Sequence, residues 1–307
     1  MNRPKVSVLL TSYNHERWLR ECIESALNQT LEDVEVIAVD DNSTDGSREI
    51  LQEYAGRLSL ILNDVNVGTY GALNQALEAA RGEYAAVLNS DDVWLPEKLR
   101  LQAEAMDSNR GHSLCHTFGR FIDDEGITLP GRPMGFVFPW MESGDHLATF
   151  IANNRAIASS VMFRSDTARR LGGFDASFKI LGDWEMWLRL AEEGSVAFVA
   201  EELTLYRVHQ TNTIYNLEPK YREEIRIREK YSARASQLLA QSGGAREMRE
   251  ALAHTLACLG SLYSITGRAR EARAAFARSL RLNPKRIKSA LRWVLTFAPL
   301  SVRKRLL

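Results

Sequence analysis

Three polar clusters, each just after an apolar run, hold the residues whose types and spacing could do chemistry. The first, Asp40-Asp41-Asn42-Ser43-Thr44-Asp45-Gly46, follows VEVIAV at 34 to 39. Carboxylates placed there can accept hydrogen bonds from a ribose or from the imide N–H of a uracil or thymine ring. The same residue types also build turns and cap helices. The second, Asn89-Ser90-Asp91-Asp92, follows YAAVLN at 84 to 89. A magnesium or manganese ion bridging a diphosphate needs only one or two protein carboxylates, while Asp92, Pro96 and Glu97 equally suit the first turns of a helix. The third is Gly182-Asp183-Trp184-Glu185-Met186-Trp187. Asp183 can cap a helix, or can serve as a general base with Trp184 and Trp187 as an apolar wall that raises its pKa. His209, in Tyr206-Arg207-Val208-His209, offers a metal ligand or a phosphate donor as well as an ordinary structural role.

Alternating strands and helices must position these clusters. KVSVLL at 5 to 10 reads as a buried strand running into Thr11, Ser12, Tyr13 and Asn14, and 16 to 29 carries Trp18, Leu19, Cys22, Ile23, Ala26 and Leu27 at helical spacing. The pattern repeats with strands at 34–39, 58–62 and 84–89 and helices at 47–55, 70–80 and from Pro96 onward. Such βαβ units predict a mostly parallel sheet covered on both faces, with ligands at the carboxyl ends of its strands. Beyond 112 the regularity breaks. Strands are expected at 112–122, 156–164 and 196–199 and a helix at 183–193, with Asp123 to Pro139 as a lid or binding loop.

The sequence has 39 basic and 39 acidic side chains among 307 residues, but the balance conceals an asymmetry. Residues 1 to 218 hold 19 basic and 33 acidic residues, net −14, and the remainder holds 20 and 6, net +14. That split predicts two structural units with different surroundings. With 45% apolar residues the chain can build real cores, which excludes disordered and collagen-like classes. Cys22, Cys115 and Cys258 show no CxxC spacing, which speaks against a structural zinc site and fits a reducing compartment. No stretch reaches the ~18 apolar residues of a membrane span, so a cytoplasmic protein is expected, with peripheral contact at the inner face of the cell membrane as a further expectation.

The blocks taken together resemble the family 2 glycosyltransferases of the GT-A fold. PKVSVLLTSYN, SALNQT, VDDNSTDGS, NVG with LNQALEAARGEYAAVLNSDD, GGFD, GDWEMWLRLAEEG and YRVH stand in the family's order over most of residues 4 to 210. The resemblance implies a Rossmann-like α/β fold with a mostly parallel mixed sheet. It implies that Thr11 and Tyr13 flank a nucleotide base, with Asp41 contacting it and Asp40 beside it, and that Asn89 and Ser90 complete the nucleotide site. Asp91 takes the metal-binding place of the family's DxD, where Asn89 replaces the usual first Asp. Asp183 takes the catalytic-base position, with Gly182 replacing the usual Glu, and His209 falls where some relatives bring a histidine to the metal or diphosphate. The implied activity is an inverting, hexosyl-type transfer in polysaccharide biosynthesis. The donor is a nucleotide diphosphate sugar, uridine diphosphate by default and thymidine diphosphate as the variant, and the acceptor is a hydroxyl of a glycan or lipid-linked molecule. The implied cofactor is Mn2+ or Mg2+. A nucleotidyltransferase is the rival, though TSYNHE at 11 to 16 lacks the glycine and basic residues of a phosphate loop. A non-catalytic sugar-nucleotide-binding scaffold is the other, against which the joint presence of Asp41, Asp91 and Asp183 argues.

The transferase domain is placed at 1–218 and a basic helical region at 219–307. Glu218 to Gln241 reads as one long helix stopped by Gly243 and Gly244. Leu256, Leu259, Gly260, Tyr263, Ala272, Phe276 and Pro284 match one tetratricopeptide-like hairpin over about 245–284. A last helix, Arg286 to Phe297, places Ile287, Ala290, Leu291, Val294 and Phe297 on one side. Either it lies on an anionic membrane, or it closes the hairpin with a solvated basic face. Homo-oligomer formation through 219–307 is a further option, and nucleic acid is not an expected partner.

Overall fold

The computed structural model describes residues 3–131, 138, 140–241 and 245–306, so Gly243 and Gly244 and part of the 123–139 loop lie outside the described residues. The chain divides into two compact units. The first runs to Asp145 and resumes over Arg155–Tyr215, and the second takes His146–Asn154 and everything from Asn216 onward.

The first unit begins with β1 (Val6–Ser12), α1 (Glu16–Leu27), β2 (Val34–Asp40), α2 (Ser47–Glu53), β3 (Ser59–Leu62), α3 (Thr69–Ala79) and β4 (Tyr84–Asn89). Then come β5 (Val93–Trp94), α4 (Lys98–Ser108) and β6 (His112–Ile122). After α5 (Leu147–Ala152), which belongs to the second unit, follow β7 (Val161–Arg164), α6 (Ser165–Arg170), α7 (Gly182–Glu193) and β8 (Ser195–Arg207). The sheet has eight strands in the order β3-β2-β1-β4-β7-β6-β8-β5. β3, β2, β1 and β4 are parallel, while β7 runs antiparallel to both β4 and β6. The fold is the expected GT-A α/β sheet in mixed form. β1 is buried along its whole length, as a strand covered on both faces must be.

Chain order reverses at β1, which pairs with β2 on one side and β4 on the other. Register aligns Thr11 with Asn89 and Ser12 with Asp40, so the polar clusters end on one row at the switch point where open α/β sheets bind ligands.

Two strand boundaries differ from the sequence reading. Residues 158–160 form a short 3-10 turn before β7, because Ser160 N–H closes onto the Ile157 carbonyl and Ser159 turns inward to polar partners. β8 continues well past Val199. Its exposed Glu201 and Glu202 look unlike strand text, but the backbone stays paired to β6 through register shifts near Thr117 and Phe118.

The second unit is helical: α8 (Leu217–Gln241), α9 (Arg246–Ile265), α10 (Ala269–Leu282), α11 (Ile287–Leu295) and α12 (Leu300–Leu306), with α5. α9 and α10 form the hairpin. A Cβ on Gly260 would lie 2.8 Å from the Phe276 ring, so glycine there permits the close crossing. Gly267, at φ +89°, makes the turn. Thr255 donates to the Ile151 carbonyl at 2.7 Å and ties α5 to α9. The last helix is not continuous to Phe297. It breaks after Leu295, and α12 follows Pro299, which cannot extend α11.

Candidate active site

Loops at the carboxyl ends of β1 and β2 lock each other in place. Asn14 and Asn42 adopt positive φ, 54° and 66°, which Asn tolerates better than most residues. The Thr44 amide donates to the Asn14 side chain at 2.8 Å, and the Asn14 and His15 amides donate to Ser43 and Ser47. Asp40 is fully buried. Its Oδ1 accepts from Arg48 Nε at 2.7 Å and from the Ser43 amide at 3.0 Å. Asp41 accepts from the Val67 and Gly68 amides, both at 2.8 Å, and from Asn63 Nδ2 at 3.0 Å. Both aspartates therefore shape the loops in which the sequence places them. Asn66, which donates to the Asp41 carbonyl, and Gly68, at φ +80°, are turn residues. Tyr13 is solvent-exposed and Thr11 is buried.

The second cluster is centred on a buried arginine that sequence reasoning missed. Arg207, at the end of β8, donates from Nε to the Asp91 carbonyl at 2.9 Å, from Nη1 to the Asp123 carbonyl at 2.8 Å and from Nη2 to Glu21 at 2.6 Å. Its amide donates to Asp92 Oδ1 at 3.0 Å, and Ser159 donates to the other oxygen of Asp92. Burial and the neighbouring Asp91 push the Asp92 carboxyl well above its ordinary value. Asp92 is thus a structural anchor of the turn. Asn89, three residues before Asp92, donates its backbone amide to Ser159 Oγ at 3.1 Å.

That anchored turn presents Asp91 to two histidines. His209 Nε2 lies 3.0 Å from Asp91 Oδ2, and its Nδ1 lies 2.7 Å from Thr211 Oγ1. His15 Nδ1 lies 2.8 Å from Ser90 Oγ. One ligand atom each from His15, Asp91 and His209 fall within 4.8 Å of one another. Burial raises the Asp91 pKa, but the hydrogen bond to His209 and the facing imidazoles outweigh it and hold the carboxyl below its usual value. Burial lowers the His15 pKa, with His209 adding to that and Asp91 opposing it. Asp91 is therefore held as an ionised carboxylate, the form in which it can bind a cation. Asn212 Nδ2 lies 3.0 Å from His209 Nε2, and the Asn212 side-chain oxygen accepts from the His209 backbone amide at 2.7 Å, so Asn212 helps to hold the histidine in place. His15 carried a signal in the sequence, as the Asn-His pair immediately after the first strand, but it was not singled out.

Trp18 stacks obliquely on His209 at 4.3 Å between ring centroids. A cavity of about 290 Å³ opens beside His209, lined also by Asp123, Asp124, Glu125 and Tyr215. Asp183 sits in the first turn of α7, half-buried. Burial, then Asp92, Asp91 and Asp183, push the Tyr206 phenol well up, so Asp183 shares a charge-sensing neighbour with the second cluster. Trp187 is fully buried against Phe163 and Phe174, so it belongs to the aromatic core.

Gly182 and the Gly172-Gly173 pair have steric explanations. A Cβ on Gly182 would come within 2.7 Å of the Tyr70 ring, whose hydroxyl donates to the Ile180 carbonyl at 2.8 Å. Gly172 and Gly173, at φ +84° and +72°, end α6, with the Gly173 amide returning to the Ala168 carbonyl at 2.9 Å.

The family model described as glycosyl transferase family 2 matches residues 7–170, more than half of the chain. The chain belongs to that family. This family 2 glycosyltransferase is 32% identical over 215 residues to an uncharacterised glycosyltransferase of Methanocaldococcus jannaschii, covering 68% of this chain and 72% of that protein. It is 30% identical over 215 residues to the chondroitin synthase of Escherichia coli, of which the match spans only 30%. Among solved structures it shares its fold with S. aureus TarS 1–349 in complex with UDP-GlcNAc, at TM-score 0.67 and 19% identity over 98% of this chain and 89% of that one. The mannosyltransferase PcManGT of Pyrobaculum calidifontis, in complex with GDP-Man and Mn2+, matches at TM-score 0.55 and 17% identity, over 100% of this chain and 88% of that one. Membership in a glycosyltransferase family sets aside the nucleotidyltransferase alternative.

Proposed function

We propose that the first unit transfers a sugar from a nucleoside diphosphate sugar, uridine diphosphate in the first instance, to a hydroxyl of a glycan or lipid-linked acceptor, with inversion at the anomeric carbon. The observation that carries this reading is the convergence of Asp91, His209 and His15 at the switch point of the sheet, with Asp183 in the same electrostatic neighbourhood. The nucleotide-sugar complexes of TarS and PcManGT, proteins of the same fold, support it.

In this reading Thr11, Tyr13 and the Asp41 loop receive the base, and Asn89 and Ser90 face the ribose and diphosphate. Asp41 accepts three hydrogen bonds, which leaves a carboxylate with roughly four acceptor sites room for a base N–H. His15, Asp91 and His209 would hold a divalent cation, and their mixed nitrogen and oxygen donors suit manganese better than magnesium. When bound, that cation stabilises negative charge developing on the diphosphate. Arg207 fixes the 91–92 turn, so the ligands need little rearrangement. Asp183 removes the proton from the attacking acceptor hydroxyl, which is worth about 10²- to 10⁴-fold. A single base with no covalent intermediate inverts the configuration.

The test is Asp183→Asn. Thermal stabilisation by uridine diphosphate with manganese should match the wild type, while sugar transfer falls by at least about 100-fold. Equal transfer rates would remove Asp183 from the role.

A further inference from the structure

α11 is packed inside out. Arg286 Nη2 lies 2.8 Å from His254 Nδ1, Arg292 Nη1 donates to Ser261 Oγ at 3.2 Å, and Arg303 of α12 is buried with Nη1 donating to the Ser264 carbonyl at 3.0 Å. All three partners lie on α9, and Ser289 and Thr296 are buried too. The polar side of α11 thus faces its own unit. The apolar side faces outward: Ile287 is 71% exposed, Leu291 62%, Val294 60% and Phe297 64%, and Leu306 of α12 is 60% exposed. Of the two expectations for this helix, closure of the hairpin by the apolar side is overturned. The arginines take that place because α9 offers them hydroxyl, imidazole and carbonyl acceptors.

A surface helix of a globular protein normally buries its apolar stripe. Here Ile287, Leu291, Val294 and Phe297, at spacings of four, three and three, form one continuous outward stripe. Its flanks are cationic, with Lys285, Lys288, Lys304 and Arg305 all exposed and no acidic residue anywhere in 281–307. Trp293 packs edge-on to Phe297 at 5.4 Å, which puts an amphipathic indole at the end of the stripe. We propose that α11 and α12 dock on an anionic lipid bilayer. In that arrangement the stripe enters the headgroup–acyl boundary and the lysines meet lipid phosphates. Apolar burial and cationic attraction then act together, as in interfacial helices. No helix among the described residues is long and apolar enough to cross a membrane, so the contact is peripheral. An exposed apolar stripe with only cations on its flanks is complementary in charge to an anionic lipid surface. This inference stands apart from the catalytic reading, because none of its residues belongs to the candidate active site.

The experiment is co-sedimentation of the full chain with phosphatidylglycerol/phosphatidylcholine vesicles and with pure phosphatidylcholine vesicles, at low and high salt. The wild type should pellet with the anionic vesicles, weaken as salt rises, and bind pure phosphatidylcholine at least about tenfold more weakly. Leu291→Gln with Phe297→Gln should lower the partition coefficient by on the order of 100-fold. The melting temperature should hold, because both side chains are already exposed. A second variant, Lys288→Glu with Lys304→Glu, leaves the stripe intact and should abolish the preference for anionic vesicles. The proposal is overturned if the wild type does not pellet with anionic vesicles at low salt, or if the glutamine variant pellets equally. It is also overturned if the stripe proves to hold two copies together, seen as a dimer that the glutamine variant dissociates while vesicle binding is unchanged.

Discussion

Tyr70 sets the cost of adding any side chain at Gly182, where the family resemblance implies a glutamate. In Gly182→Ala the new Cβ would lie 2.7, 2.8 and 2.9 Å from Cε2, Cδ2 and Cζ of Tyr70. Two effects oppose each other. Alanine in a helix gains about 1 kcal/mol over glycine. Overpacking a filled core position costs roughly 1–3 kcal/mol, and moving the ring also strains its hydrogen bond to Ile180, worth about 1 kcal/mol net. The ring cannot yield freely, because it is buried and stacked on Phe174 at 6.0 Å. The net expectation is a loss of about 1–3 kcal/mol, read as a lower urea midpoint at unchanged slope. In a Tyr70→Ala background the clash is gone, so Gly182→Ala should become stabilising by about 0.5–1 kcal/mol. The sign reversal is the diagnostic result. If Gly182→Ala is neutral or stabilising in the wild-type background, the steric explanation of glycine at this position is wrong.

Replacing Arg207 by Met leaves the carbonyls of Asp91 and Asp123 without their donor, so unfolding free energy should fall by roughly 2–4 kcal/mol by denaturant titration. His15→Ala should weaken Mn2+ binding about 10- to 100-fold by electron paramagnetic resonance of free Mn2+, with the fold retained by circular dichroism. Lys98 is fully buried beside Trp94, and burial lowers its pKa to about 7, against 10.5 for the ordinary side chain. Between those values the unfolded chain binds more protons than the folded one, so this residue makes stability rise with pH from about 7 to about 10.5. Lys98→Met should flatten that rise, and an unchanged slope in denaturant titrations across the window would show that the lysine is not buried as described.

The alternating strands and helices of the first unit were legible because each buried strand is a short apolar run with a polar stop. VEVIAV and YAAVLN are strands to within one residue. β8 was read too short because Glu201 and Glu202 interrupt its pattern on a face that the pairing with β6 leaves exposed. At the site, Asp91 and His209 were readable by type and meet in space. His15 and Arg207 were not singled out, because their roles depend on partners 76 and 116 residues away in sequence, Asp91 in both cases. Asp40 and Asp41 show the converse limit. Their types suit ligand binding, yet the same carboxylates hold the loops through Arg48, Val67 and Gly68. For α11 the stripe is legible in the sequence but its direction is not, since an arginine-rich side packs inward only where another helix supplies acceptors.

In the proposed function a nucleoside diphosphate is held through a cation at His15, Asp91 and His209. Isothermal titration of uridine diphosphate into the full chain, with Mn2+ and with chelator, tests it most directly. Binding should tighten at least about tenfold with Mn2+ in the wild type, and Asp91→Asn should erase that gain while keeping the metal-free affinity. Equal affinity with and without the cation, or an Asp91→Asn variant that responds to Mn2+ like the wild type, would contradict the assignment.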